Sequence, residues 1–282
     1  MRVVRHPDGH SFLQAARPWL LRAEAENNLI LGNTPTTSAS SQGAAGPYLA
    51  CVYAGSDLVA CAMRTPPPAR RHKLVVTRLP PEAVVPLVDD AVTFDAALSG
   101  VFGPEPSVRA FADARSKRTG QRAAMGGRQR IYQIERLSAM PSPPAGTFRP
   151  ARATDVDLVA RWVAAFSAEA LPSEPVDPAE VAASRIAQGM LFLWEDPEPV
   201  AMAAWAGKTP NGVRVNLVYT PPRWRRRGYA SACVSELTRR LLEGGNRFCF
   251  LFTDPANPTS NSIYQRLGYR PVSDTAEYEF AR

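Results

Sequence analysis

The sequence predicts an α/β (α+β) protein built from two domains, each a mixed, mostly antiparallel sheet flanked by helices. Three observations carry this expectation. Strand-like and helix-like segments alternate through both halves of the 282-residue chain. The stretch "SAMPSPPAGTFRP" (138–150) is rich in Pro, Ser, Ala and Gly, has no hydrophobic periodicity and reads as a linker. A hydrophobic content of 45% over this length fills two ordinary cores. The expected layout is a first domain over 1–138, a linker over 139–145 and a second domain over 146–282.

In the second domain "TFRPARA" reads as a strand. Thr154 and Asp157 resemble a capping box ahead of an apolar face of Val156, Val159, Trp162, Val163 and Phe166. Asp177 as N-cap, Pro178 at the first helical position and Glu180 three residues after the cap open another helix, which Gly189 stops. Three strands come next at 190–194, 199–205 and 213–220, separated by "EDPE" and "GKTPNG". The next helix carries Ala230, Cys233, Val234, Leu237 and Leu241 on one face and ends at Gly244 and Gly245. The nearly all-apolar "FCFLFT" then reads as a central strand covered on both faces. Asn257 and Pro258 start a short helix through Ile263, Tyr264 and Leu267 to Gly268, and two short strands, 269–272 and 276–280, close the chain. The predicted order is β-α-α-β-β-β-α-β-α-β-β.

The first half repeats much of that order. It offers a helix over 9–26, a hairpin over 48–63 around "AGSD", a strand over 73–79 and a helix over 81–94. A short "GVFG" segment, a helix over 105–119 and the strand "RQRIYQIERL" complete it, while the polar stretch 33–47 reads as a surface loop. The parallel suggests a duplication at the level of fold, without visible sequence identity between the halves.

Charge and cysteine usage narrow the function classes. The net charge is +7, yet residues 146–282 hold 16 Lys and Arg against 15 Asp and Glu, so the excess lies in the first half. A nucleic-acid partner needs a broad basic face that displaces counterions, and an arginine-rich run over 109–130 is a weak basis for such a function. Four cysteines (Cys51, Cys61, Cys233, Cys249), widely spaced and without a CxxC pair, argue against a zinc site and against a disulfide scaffold. Cys233 and Cys249 fall on a buried helix face and a central strand, where they read as core. With no apolar run of membrane-spanning length and no signal-peptide pattern, a soluble cytoplasmic protein with reduced thiols is expected, with no metal.

The stretch "YTPPRWRRRGYAS" (219–231) carries the chemistry. A loop that leaves a strand and flows into a helix N-terminus presents backbone N–H groups to an anion, and Gly228 and the small Ala230 let a ligand approach the main chain. Arg side chains add fork-shaped donors around it. The pattern is neither a P-loop nor the three-glycine dinucleotide fingerprint. By itself, such a segment is as often an exposed basic turn as an anion site.

Together with the segment after it, this run resembles the GNAT superfamily of acyl-CoA N-acyltransferases. The resemblance rests on "VNLVYTPPRWRRRGYASACVSELTRRLLEGG" and then "FCFLFTDPANPTSNSIYQRLGYRPV", and covers about the last 135 residues. The family's acyl-CoA loop, Q/R-x-x-G-x-G/A, is matched by Arg225, Gly228 and Ala230, with Arg226 where the family often has Gly. The resemblance implies an acetyl-CoA co-substrate whose pyrophosphate lies on the backbone of Arg226, Arg227, Gly228, Tyr229, Ala230 and Ser231. It implies that Val218, Tyr219 and Thr220 pair with the pantetheine arm on a strand that splays from its neighbour, and that a backbone N–H near Val218 serves the oxyanion. Tyr264 matches the family tyrosine that protonates the departing thiolate. Asn257, and less strongly Asn261, match positions that contact the CoA arm.

The general base stays open among Glu169, Glu174, Glu195 and an ordered water, because all three histidines (His6, His10, His72) lie in the first half. That half has "PPEAVVPL" where the loop would be, and so reads as a degenerate GNAT-like domain that shapes the acceptor cleft or a homodimer contact. The expected activity is N-acetylation of a small-molecule or peptide amine by direct attack, without a covalent enzyme intermediate. A CoA-binding regulatory pseudoenzyme or a partner-binding module is the alternative.

Overall fold

A computed structural model describes residues 1–34, 46–65, 73–140, 142–170 and 176–281. The expected polar loop at 33–47 lies largely outside the described residues. The chain forms two compact units, Met1–Arg130 with Ser273–Arg282 and Ile131–Val272. The last ten residues thus belong with the first unit, and the Pro-rich stretch 139–145 lies within the second.

The first unit contains β1 (Arg2–Arg5), α1 (Gly9–Leu20), α2 (Asn28–Asn33), β2 (Tyr48–Ala54), β3 (Asp57–Arg64), β4 (Lys73–Val76), α3 (Pro81–Phe94), β5 (Gly100–Pro104) and α4 (Glu105–Thr119). Its strands run in the order β1-β2-β3-β4-β5, followed by β12 (Arg270–Phe280), which pairs antiparallel with β5 from Thr275↔Pro104 to Glu279↔Gly100. Side chains alternate across the sheet with the strand period of two. On β2, Leu49 and Cys51 join Phe12, Ala16 and Leu20 of α1, whereas Tyr48, Ala50 and Val52 join Leu87 of α3 and Phe111 of α4. Helices therefore cover both faces. The helix expected over 9–26 stops at Leu20, followed by a short 3-10 turn, and Asn28 begins a separate helix. Asn27 side-chain Nδ2 donates to the Leu20 carbonyl at 2.9 Å, which fixes this break.

The second unit begins within β6 (Ala123–Ile134) and continues through β7 (Thr147–Pro150), α5 (Val156–Ala170), α6 (Pro178–Ala187), β8 (Leu191–Glu195), β9 (Pro199–Ala206), β10 (Gly212–Tyr219), α7 (Tyr229–Glu243), β11 (Phe248–Thr253) and α8 (Pro258–Leu267). Its strand order is β6-β11-β10-β9-β8-β7. One face packs Val213, Val215, Cys249 and Leu251 against Cys233, Leu237 and Leu241 of α7 and Tyr264 of α8. The other packs Leu191, Leu193, Met202 and Tyr219 against Val159, Trp162 and Val163 of α5 and Ala182 of α6.

Two local expectations are corrected. The cap before α5 is made by Asp155, whose Oδ2 accepts from the Arg152 N–H at 2.7 Å, rather than by Thr154 and Asp157. The anchor is Arg149, which bonds both oxygens of Asp155 and also reaches Glu195. The two short closing strands are one strand of 11 residues. The turn-like "SD" at 273–274 does not break it, because Asp274 is held in a bidentate pair by Arg130 at 2.6 and 2.8 Å.

Candidate active site

The candidate site is assembled where β10 leaves the sheet. β10 and β11 run parallel, but their pairing covers only Gly212↔Phe248, Val213↔Cys249 and Arg214↔Phe250. Against β9, Asn216 faces Ala204 and Tyr219 faces Met202, so three steps on β10 match two on β9. This one-residue bulge contains Leu217 at φ 48°, a left-handed conformation that costs a non-glycine residue about 1–2 kcal/mol. Strained backbone held in a strand re-aims the peptide groups beyond it. Val218 then faces the α7/α8 side and Tyr219 the α5/α6 side.

Beyond Tyr219, Thr220 leads into a single 3-10 turn at Pro222–Trp224. The loop is closed by Arg225, whose Nε donates to the Thr220 carbonyl at 2.9 Å. Arg226 (φ 65°) and Gly228 (φ 84°) both take left-handed conformations, and Gly228 is the N-cap of α7 without any side-chain cap. The first turn of α7 carries no acidic residue. The consequence is a run of six backbone N–H groups, from Arg226 to Ser231, without a hydrogen-bond partner among the described residues. The first intrahelical bond is Ala232 N to the Gly228 carbonyl. Uncapped donors at the positive end of a 15-residue helix make a place where a negative charge is favoured.

The four arginines of the loop divide between bracing and exposure. Arg223 donates to Glu198 and lies over the Trp224 ring, and Arg227 stacks on the same ring at 4.9 Å. Arg225 holds both oxygens of Glu169 at 2.7 and 2.9 Å and lies over the Tyr219 ring. Arg226 is exposed at its left-handed position. Three of the four therefore brace the loop. Tyr229 departs from the expected pattern, since it rather than Ala230 is buried, with its hydroxyl donating to Asp196 at 2.6 Å. Half-buried Ala230 leaves the main chain of this helix start open.

On the other side of the splay, Tyr264 sits on the buried face of α8, edge-on to Tyr269 and tilted against Tyr132. Its hydroxyl has no hydrogen-bond partner among the described residues, and burial pushes its pKa up to about 12. It is thus a protonated, unengaged donor in the same core cluster that Val218 packs against. Asn257 Oδ1 caps α8 by accepting from Ser260 N at 3.0 Å. Asn261 Nδ2 donates to the carbonyls of Asp254, Pro255 and Asn257, tying down the segment between β11 and α8, while its buried Oδ1 has no partner.

Of the candidate carboxylate bases, Glu169 is held by Arg225 and Glu195 by Arg149. Glu174 lies outside the described residues. Among the described residues no cluster of His, Cys, Asp and Glu suits a metal ion, and no helix is long and apolar enough to cross a membrane. Nothing in the amino-acid pattern marks Leu217 as the bulge residue. Trp224, set within the arginine run, is a visible signal for the stacked brace.

The first unit has the same succession of elements but a different end to the equivalent strand. Its α3 starts with Pro81, which has no N–H, and the Leu79 N–H is taken by Ser107 Oγ. A Cβ on Gly103 of β5 would stand 2.3 Å from the Val76 carbonyl oxygen, so β4 and β5 remain in close contact where β10 and β11 have parted.

Comparison with known proteins gives the class. The fold is that of the GNAT acetyltransferases: the chain is similar to a GCN5-related N-acetyltransferase from Kribbella flavida (TM-score 0.61, 18% identity, 91% of this chain and 94% of that one). It is also similar to a GNAT-family acetyltransferase from Colwellia psychrerythraea (TM-score 0.58, 11% identity, all of both chains). A tandem GNAT protein from the clavulanic acid biosynthesis pathway aligns as well (TM-score 0.54, 10% identity, 99% and 98%). Residues 192–278 match the family model described as FR47-like protein. No curated protein matches the chain.

Proposed function

We propose that this protein is an acetyl-CoA-dependent N-acetyltransferase acting on a small-molecule or peptide amine in the cytoplasm. The observation that carries the reading is the run of unengaged N–H groups from Arg226 to Ser231 at an uncapped helix start, directly after a bulged strand that parts from its neighbour. In this reading that helix start is a cradle for the CoA pyrophosphate, and Arg225 fixes the shape of the loop. The strand segment Val218, Tyr219 and Thr220 faces the pantetheine amides, and Asn257 and Asn261 shape the opposite wall.

The neutral amine attacks the thioester carbonyl carbon, and negative charge gathers on the carbonyl oxygen. A main-chain N–H near Val218, re-aimed by the Leu217 bulge, is the donor we assign to that oxyanion. Collapse breaks the C–S bond, and the thiolate takes the proton of the Tyr264 hydroxyl, which its buried setting keeps protonated at neutral pH. The amine proton leaves through water, the assignment we prefer because Glu169 and Glu195 are each held by a guanidinium. The first unit, with Pro81 at its helix start and its strands closed at Gly103, takes no acyl-CoA in this reading.

The test is calorimetric titration with acetyl-CoA, followed by thiol release measured across a panel of amines. One site per chain and amine-dependent thiol release are expected. Binding without turnover on any amine would leave a CoA-binding regulator, and absence of binding at millimolar ligand would refute the proposal.

A further inference from the structure

Two cysteines of the first unit stand opposite each other on neighbouring strands. Cys51 of β2 is in register with Cys61 of β3. The direction of their backbone groups is set by the bonds on either side. Cys61 N–H donates to Thr77 Oγ1 at 2.9 Å, and its carbonyl accepts from Thr77 N at 3.0 Å, so its polar groups face away from β2. The Leu49 carbonyl accepts from His6 N, on the β1 side, and with the strand period of two the polar groups of Cys51 point to that side as well. Cys51 and Cys61 are therefore a non-hydrogen-bonded antiparallel pair.

That pairing sets the distance. Non-hydrogen-bonded partners have Cα atoms about 4.5 Å apart, inside the range of about 4.4–6.8 Å that a disulfide spans. Both side chains project to the same face, into the cluster formed with Phe12, Leu13, Ala16 and Met63. Both are fully buried thiols, and their mutual interaction lowers the Cys51 pKa and raises that of Cys61. Tyr53 and its partner Leu58, next along the hairpin, are half-buried, and the turn beyond them at Gly55 and Ser56 is exposed.

We propose that Cys51 and Cys61 form a reversible dithiol–disulfide site, closed by a small peroxide and reopened by thiol reductants. The Cys51 sulfur attacks one oxygen of the peroxide. The O–O bond breaks, the departing hydroxide takes up the thiol proton as water, and Cys51 becomes a sulfenic acid. The Cys61 sulfur then displaces hydroxide from that sulfur, and hydroxide leaves as water with the Cys61 proton. Two thiols and one peroxide give one disulfide and two waters, the cysteines losing two electrons to the peroxide.

Cys233 and Cys249 serve as internal controls, since they sit in the second unit on α7 and β11 with thiols pushed up by burial. The full chain is treated with hydrogen peroxide, its remaining thiols are alkylated in denaturant, and peptides are mapped by mass spectrometry without reduction. Two of the four alkylation sites should disappear, with a single cross-linked species joining the Cys51 and Cys61 peptides, while Cys233 and Cys249 stay alkylated. Circular dichroism should be unchanged, dithiothreitol should restore both sites, and Cys51→Ser should abolish the cross-link. Four alkylated thiols after peroxide, links scattered among all four cysteines, or a cross-link that appears only as the fold is lost would each overturn the proposal.

Discussion

Gly228 offers a quantitative test of the anion cradle because two substitutions there separate backbone cost from charge. The residue sits at φ 84° and ψ −4°, and an added Cβ would meet nothing nearer than Pro144 Cδ at 3.7 Å. Gly228→Ala therefore carries a conformational cost without a clash, about 1–2 kcal/mol, which lowers the melting temperature by about 2–4 °C per kcal/mol in a chain of this class. It leaves the N–H groups from Arg226 to Ser231 in place, so acetyl-CoA at ~100 times its dissociation constant should still add about 2.7 kcal/mol. Gly228→Glu has the same backbone cost and brings a carboxylate to the site. At about 5 Å, between the screening of water and that of a protein surface, each phosphate charge opposes it by about 1–3 kcal/mol, a weakening of about fivefold to somewhat over a hundredfold. Thermal-shift titration of the two variants beside the wild type reads both effects. Equal ligand shifts in wild type and Gly228→Glu would refute the placement of the anion at this helix start.

Other contacts can be tested one at a time. Tyr264→Phe removes a hydroxyl that bonds no described residue, so stability should change by less than about 1 kcal/mol while turnover falls about 10²–10⁴-fold and acetyl-CoA binding persists. Unchanged turnover in stopped-flow thiol release would remove the general-acid role. Asn261→Ala withdraws a donor from three carbonyls and should cost about 1–3 kcal/mol in urea denaturation. The Arg149 hydrogen bond holds the Asp155 pKa below the usual carboxylate value, so this pair stabilises the fold above about pH 4 and the contribution is lost as pH falls through the folded-state pKa. Asp155→Asn should accordingly flatten the pH dependence of the melting temperature below about pH 4, and an unaltered slope would argue against the pair.

The features legible in the sequence were local ones. Asp177 caps α6 through Ala179 N and Glu180 N, Gly268 closes α8 at φ 103°, and α7 runs from Tyr229 to Glu243, all from caps and spacing. Such signals are written within a few residues of where they act. The Leu217 bulge was illegible because it arises from a mismatch of steps between β10 and β9, and leucine has no preference for that conformation. Glu169 and Glu195 looked like free carboxylates because their guanidinium partners lie 56 and 46 residues away. The closing strand was split in two for the same reason, its turn-like Asp274 being held by an arginine 144 residues earlier.

Because Ser273–Arg282 belong to the first unit, the order of synthesis and the order of completion differ. A ribosome delivers Met1 to Arg130 early, yet the strand that pairs with Gly100–Pro104 emerges only after the whole of the second unit. Until it arrives, the β5 edge that later receives Thr275 to Glu279 waits with unpaired main-chain groups, the kind of edge that invites pairing with other chains. The contact joins residues about 175 positions apart, and closure over such a span is slow. The first unit begun is therefore the last one finished, and cutting the gene at the Pro-rich stretch would release an N-terminal piece without its final strand.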